Sequence, residues 1–153
     1  MGLEIRGPRP SDLETIADNN IATAWETERR RLDPHGAREG VRAVLDDPGK
    51  GFYLLAEKGG KVIGQIMVTK EWSDWRNGAF WWLQSVYVVP EERGKGVFKA
   101  LFRELEGRAR ATEGVVGIRL YVERGNARAQ EAYSRLGLDG TRYIVFEDDH
   151  TLK

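Results

Sequence analysis

The stretch Val86-Tyr87-Val88-Val89-Pro90-Glu91-Glu92-Arg93-Gly94-Lys95-Gly96-Val97 decides how this chain folds and what it can hold. Its first part is an apolar, β-branched run that Pro90, lacking an N–H, brings to an end, so residues 79–89 read as a long strand. A turn with glycines at 94 and 96 follows. Beyond it Val97, Phe98, Leu101, Phe102, Leu105 and Ala109 trace one apolar face, with Lys95, Lys99, Arg103 and Glu106 elsewhere, which predicts an amphipathic helix from Gly94 to about Arg110. A strand leading through glycines into a helix suits an anion. The helix start offers backbone N–H groups without intrahelical partners and a partial positive charge, and glycine lets a phosphate approach the main chain. Arg93, Lys95 and Lys99 add charge beside it. The spacing is neither the GxxxxGK[ST] phosphate loop nor a GxGxxG turn with an acidic ribose partner, so a different diphosphate binder is expected.

Working toward the N-terminus, residues 61–71 and 52–57 are apolar, partly alternating runs joined by Lys58-Gly59-Gly60, which predicts an antiparallel hairpin on a glycine turn. Trp72 to Gly78 is polar, aromatic and turn-rich, and is expected to be a loop forming a substrate lip. Ser11 followed by Glu14 suggests a capping box, and Leu13, Ile16, Ala17, Ile21 and Ala24 carry a helix to about Glu28. A shorter helix is expected from Pro34 to Leu45, and Leu3 to Arg6 reads as a first strand. Toward the C-terminus, Val116 to Glu123 alternates Ile118, Leu120 and Val122. Asn126 caps a helix with Ala129, Ala132, Tyr133 and Leu136, ended by Gly137, and Thr141 to Glu147 reads as a last strand. The resulting order predicts a mixed α/β sheet with helices on both faces in one domain over residues 1–153.

Composition narrows the chemistry. With 24 basic and 24 acidic residues the chain has no global field to attract nucleic acid or an anionic membrane, so any anion site is local. Cysteine is absent, which excludes disulfides, thiolate metal sites and a cysteine nucleophile. His35 and His150 lack ligand-like company, and no metal is expected. The first ten residues lack the apolar core of a signal peptide, and no window approaches a membrane span, so a cytoplasmic protein is expected.

The segment Arg93-Gly94-Lys95-Gly96-Val97-Phe98, together with Asn126-x-x-Ala129-x-x-x-Tyr133-x-x-x-Gly137, resembles the GCN5-related N-acetyltransferase superfamily over about residues 80–138. Phe98 departs from the small residue usual at the sixth position, so its ring is expected to turn into the core. The resemblance implies a mixed, mostly antiparallel sheet of six to seven strands, splayed after the fourth, with acetyl-CoA as cosubstrate. It implies backbone contacts from Val86 and Val88 to the pantetheine arm, phosphate contacts from Arg93, Gly94, Lys95, Gly96, Val97, Phe98 and Lys99, and a further contact from Asn126. It also leaves a homodimer possible.

Acetyl transfer to an amine needs a proton for the leaving thiolate; the spacing of Tyr133 alone reads as core, but the resemblance implies that it is the general acid, its phenol near pKa ~10 lying close to a thiol near ~8.5. Where many relatives place a glutamate base this chain has Gln84, which cannot serve, so Glu26, Glu71, Asp74 or desolvation of the amine itself must stand in. Trp72, Trp75, Trp81 and Trp82 crowd the same region with Glu71 and Asp74. One reading makes Trp72, Asp74, Trp75 and Gln84 a pocket for a cationic small amine or a peptide amine; the other makes the tryptophans core. The alternative to an enzyme is a non-catalytic acyl-CoA sensor on the same fold.

Overall fold

One five-stranded sheet organises the larger part of the chain in the computed structural model, which describes residues 2–151. Its strands are β1 (Leu3–Arg6), β2 (Phe52–Lys58), β3 (Lys61–Ser73), β4 (Gly78–Val88) and β5 (Val115–Leu120). They lie in chain order, antiparallel except for the parallel β4–β5 pair. The helices are α1 (Leu13–Glu28), α2 (Pro34–Asp46), α3 (Val97–Ala111) and α4 (Ala127–Arg135). The residues group into two compact units, Met1–Tyr121 and Val122–Lys153. The first contains the sheet and α1 to α3; the second contains α4.

Successive residues of β3 show how the first unit is layered, because neighbours on a strand face opposite ways. Gly64 faces α3, where a side chain would meet Val97 and Leu101. Gln65, 1% exposed, faces α1: its amide donates to Asn20 Oδ1 (3.0 Å) and the Ile16 carbonyl (3.5 Å) and accepts from Asn19 Nδ2 (2.8 Å). On the α1 side Leu13, Ile16, Ala17 and Val41 pack with Tyr53 and Leu55 of β2. A buried amide with each polar end bonded fixes the helix position more sharply than apolar contact does.

Several expectations hold. The Gly59-Gly60 turn joins β2 to β3 with φ of 59° and 77°, the left-handed pair of a two-residue hairpin. α1 spans the expected range, but the Ser11–Glu14 capping box does not form: a 3₁₀ turn at Pro10–Asp12 precedes the helix. Asp12 instead accepts from Arg9 N (2.6 Å) and from Arg6 (2.8 Å), which also bonds Glu57 (2.7 Å).

Other expectations are corrected. Trp72 belongs to β3, and only residues 74–77 make the turn into β4, so the expected substrate loop is a tight hairpin. The sheet has five strands among the described residues, not six to seven. Thr141 to Glu147 is in no strand; Tyr143 and Phe146 are 83% and 90% exposed. A strand exists only when a neighbour takes its hydrogen bonds, and alternation in a sequence cannot supply one. In the second unit α4 has no buried residue; Asn126 Oδ1 accepts from Ala129 N (3.0 Å) as its cap, and Gly137 follows with φ 101°.

The Arg6–Asp12–Glu57 cluster couples stability to acid. The hydrogen bond from Arg6, working against burial, holds Asp12 below the usual carboxylate range. A depressed folded-state pKa contributes stability that is complete above the unfolded value near ~3.9 and is lost as pH falls through the folded value. We expect Asp12→Asn to lower Tm at pH 7 and to flatten the fall of Tm with acid below about pH 4. Thermal melts from pH 2 to 7 read both changes.

Candidate active site

β4 loses one neighbour before it ends. Its parallel ladder with β5 runs from Ala79↔Val115 to Leu83↔Leu120 and stops, while its antiparallel ladder with β3 continues to Gly64↔Val88. The β3 ladder steps from Met67↔Ser85 to Val68↔Leu83, so Gln84 is an extra residue bulged out of β4 at the point where β5 departs. Its side chain is held by Thr69, Nε2 donating to Oγ1 at 2.8 Å. Within the first unit, the β4 edge over residues 84–88 therefore faces no strand on the β5 side.

That open edge leads into the glycine turn. Pro90–Glu92 forms a 3₁₀ turn, Gly94 and Gly96 have φ of 77° and 85°, and Gly96 is the N-cap of α3. The first bond of the helix is donated by Ala100 to the Gly96 carbonyl (3.0 Å), so the amides of Val97 and Lys99 have no carbonyl one turn back to bond. α3 thus begins three residues later than the sequence pattern suggests, and Gly94 to Gly96 form an exposed approach to its N-terminus.

A pocket of ≈ 440 Å³ joins these features, lined by Val86, Tyr87, Val88, Arg93, Gly94, Gly96, Val97, Phe98 and Lys99, with Thr23, Glu26 and Thr27 of α1 on the facing wall. Arg93 is anchored across it: Nε donates to the Val88 carbonyl (2.7 Å), Nη2 to Glu26 Oε1 (2.8 Å), and its guanidinium lies 5.3 Å from the Tyr87 ring centre. Tyr87 donates weakly to Glu26 Oε2 (3.4 Å), and burial, then Glu26, pushes its phenol above the ordinary value. Phe98 does not enter the core. It is half-buried, 6.1 Å from the Phe102 ring, and forms part of the pocket wall.

The expected site residues are distributed unevenly. Val86, Val88, Arg93, Gly94, Gly96, Val97, Phe98, Lys99 and Glu26 share the pocket, and Lys95 sits on its exposed turn, 3.8 Å from Glu92. Glu71 lies elsewhere, its Oε1 accepting from Arg119 (2.7 Å) and from Trp82 Nε1 (3.0 Å). Asp74 and Trp75 lie at the hairpin tip, Trp75 90% exposed. From Gly78 to Gln84 is roughly 20 Å at ~3.3 Å per strand residue, so Trp72, Asp74 and Trp75 are well removed from the open edge. Trp81 is core, edge-on to Phe52, whereas Trp82 stacks on Tyr121 on the opposite face. In the second unit Tyr133 is half-buried on α4, and that burial pushes its phenol up. Asn126 caps α4 through Oδ1, one of the two roles expected of it. Sequence reasoning missed the wall from Thr23 and Thr27, although Thr23, Glu26 and Thr27 stand at one-turn spacing and share a helix face.

An acetyltransferase family model, described as "Acetyltransferase (GNAT) family", matches residues 14–138. The chain belongs to that family. It is 30% identical over 130 residues to a mycothiol acetyltransferase of Corynebacterium aurimucosum, covering 82% of this chain and 42% of the relative. To another from Saccharomonospora viridis it is 32% identical over 139 residues, covering 86% and 44%. The chain therefore spans less than half the length of these curated relatives. A crystal structure of a possible acetyltransferase from Clostridium difficile 630 superposes with TM-score 0.90 at 44% identity, over 97% of this chain and 98% of that one. An aminoglycoside N-acetyltransferase solved with CoA superposes with TM-score 0.79 at 17% identity, over 97% and 95%, which shows a shared fold.

Gly64 seats the start of α3 against the sheet. A Cβ there would come within 2.9 Å of Val97 Cγ1, the first residue of α3, and the β-branched Val97 has little rotamer freedom with which to yield. Overpacking of this kind costs about 1–3 kcal/mol, and ~1.4 kcal/mol of it borne by the binding turn is tenfold in affinity. Gly64→Ala is expected to weaken CoA binding about tenfold by calorimetry while far-UV circular dichroism stays unchanged. Unaltered affinity would show that the turn does not depend on this seat.

Proposed function

We propose that this chain transfers an acetyl group from acetyl-CoA to a primary amine by direct attack in a ternary complex. The observation that carries this reading is the open β4 edge at residues 84–88 running straight into the glycine turn at the start of α3. An extended arm bearing amides can pair with such an edge as an added strand would, and a diphosphate at the arm's end then meets the helix N-terminus. Val86 and Val88 take the pantetheine amides through their backbone. Main-chain amides of the turn, with Lys95 and Lys99, take the phosphates, and Asn126 contacts the arm. Arg93, tied to Val88 and Glu26, shapes the pocket wall and reaches phosphate only by leaving Glu26.

Acetyl-CoA supplies an acyl group activated as a thioester. The amine nitrogen bonds to the carbonyl carbon, the carbon–sulfur bond breaks, and Tyr133 donates the proton taken by the leaving thiolate. The amide near Val86 donates to the carbonyl oxygen as charge develops there. We assign no carboxylate as base. Glu26 is held by Arg93 and Tyr87, Glu71 by Arg119 and Trp82, and Asp74 sits at the hairpin tip. The amine enters neutral, and the one proton it loses as the amide forms passes to water, from which Tyr133 is reprotonated. An acceptor touching both Gln84 and the Trp72, Asp74 and Trp75 cluster must span roughly 20 Å, which favours a peptide or protein amine over a small one.

A panel of amines and peptide N-termini assayed for thiol release from acetyl-CoA tests the reaction. We expect kcat/KM to rise with pH until the acceptor's own amine is deprotonated, with Glu26→Gln keeping the same profile. Activity should then fall only above the ordinary phenol value near ~10, because a raised pKa keeps Tyr133 protonated through neutral pH. Tyr133→Phe should lower kcat about a hundredfold with CoA affinity retained. CoA binding without thiol release for any acceptor would favour the sensor reading.

A further inference from the structure

A second pocket in the first unit, of ≈ 320 Å³, shares no residue with the one beside α3. Three segments enclose it: the link from β1 to α1, the end of α2 with the turn after it, and the start of β2. Its floor is largely apolar. Leu13 and Tyr53 are buried members of the core under α1, and Phe52 is half-buried with its ring edge-on to Trp81 at 5.1 Å. Proline stiffens both connecting walls, Pro8 and Pro10 before α1 and Pro48 after α2. A fixed φ leaves such walls few other shapes, so an arriving ligand has little left to order.

The rim is charged, and its charges are poorly paired. The Arg9 backbone is pinned, its N–H donating to Asp12 (2.6 Å), but the guanidinium is 61% exposed and comes only within 3.8 Å of a Glu57 oxygen that already accepts from Arg6 at 2.7 Å. Arg42 meets Glu39 at 3.2 Å in an exposed pair, a kind that contributes little net stability and exchanges readily for another carboxylate. Asp46 has no hydrogen-bond or ion-pair partner among the described residues, although it stands one turn after Arg42 on the same face of α2. It is also the last residue of that helix, where the backbone's partial negative charge disfavours a carboxylate and favours a cation. Asp47 beside it is satisfied, accepting from Gly49 N (2.9 Å) and Lys50 (3.3 Å).

An apolar floor under two weakly held guanidinium groups and one free carboxylate calls for a ligand with an apolar body and both charges. We propose that this pocket binds a free α-amino acid with an apolar side chain, its carboxylate on Arg42 and Arg9, its ammonium on Asp46, and its side chain against Leu13, Leu45 and Phe52. The two charges of an α-amino acid flank a single carbon, so one helical turn of about 5.4 Å between Arg42 and Asp46 can hold both. A fatty acid would set its carboxylate near that of Asp46, and a simple amine would leave both arginines unanswered. The volume is at the small end of the range for ligand pockets, about 300–1,000 Å³, which suits one amino acid better than a peptide. Because the two pockets share no residue, this ligand and CoA bind together.

The full-length chain, nitrogen-labelled for amide spectra, tests this with L-leucine and L-phenylalanine as probes. Both should shift the amides of Arg9, Arg42 to Asp46 and Gly51 to Tyr53 and spare those of Gly94 to Lys99, with or without CoA. By calorimetry N-acetyl-leucine, leucinamide and glycine, which lack the ammonium, the carboxylate and the apolar body in turn, should each bind at least about tenfold more weakly than leucine. Arg42→Gln and Asp46→Asn should each weaken leucine about tenfold without lowering Tm or CoA affinity. The proposal is overturned if neither amino acid binds at millimolar concentration, if the shifts fall on Gly94 to Lys99 instead, or if N-acetyl-leucine matches leucine. Undiminished leucine affinity in both variants would overturn it as well.

Discussion

A β-strand that keeps one neighbour and loses the other before it ends creates an unusual demand, because backbone donors and acceptors taken from a sheet must be satisfied by something. In β4 this happens at Gln84, where the bulge and the last β5 pair coincide. Six residues further on the chain turns at Pro90, and the glycines at 94 and 96 set up a helix start with unbonded amides of its own. The open edge and the open helix terminus are therefore successive parts of one surface, which suits a ligand with an amide-bearing arm and a phosphorylated end.

Two contacts on β3 hold that surface in place from behind. Gly64 lets α3 settle against the sheet through Val97 and Leu101, which sets where the helix amides begin. The next residue, Gln65, fixes α1 from the other face through Asn19, Asn20 and the Ile16 carbonyl. α1 in turn supplies Thr23, Glu26 and Thr27 to the pocket, and Glu26 reaches across to Arg93. Adjacent residues of one strand thus position both walls. Pairs such as Arg93–Glu26 are partly exposed and contribute little net stability, so their effect lies in orienting groups.

What could be read from the sequence was local. The Gly59-Gly60 turn, the apolar face of α3, the glycine approach to it and the end of β4 at Pro90 each depend on residues within a few positions of one another, and each was legible. The Gln84 bulge was not, because a bulge is a mismatch between two strands and neither strand's pattern contains it. The pattern of β3 gives Gly64 no special standing, because its neighbour is a helix more than thirty residues away in sequence. The candidate bases looked equivalent as carboxylates. Folding separated them by giving Glu71 to Arg119 and Glu26 to Arg93 across sequence distances that no periodicity spans.

The C-terminal tail shows the same limit from the opposite side. Its apolar run Tyr143-Ile144-Val145-Phe146 is as strand-like as the core of β3, yet a strand requires hydrogen-bonding partners as well as a suitable pattern, and residues 141–147 have no ladder. The second unit, with no buried residue among those described, gains little from burial within itself to offset the entropy of ordering its chain. Amide exchange should accordingly be faster over residues 141–147 than over β2 and β3, because the sheet buries its own core and Tyr143 to Phe146 stay exposed.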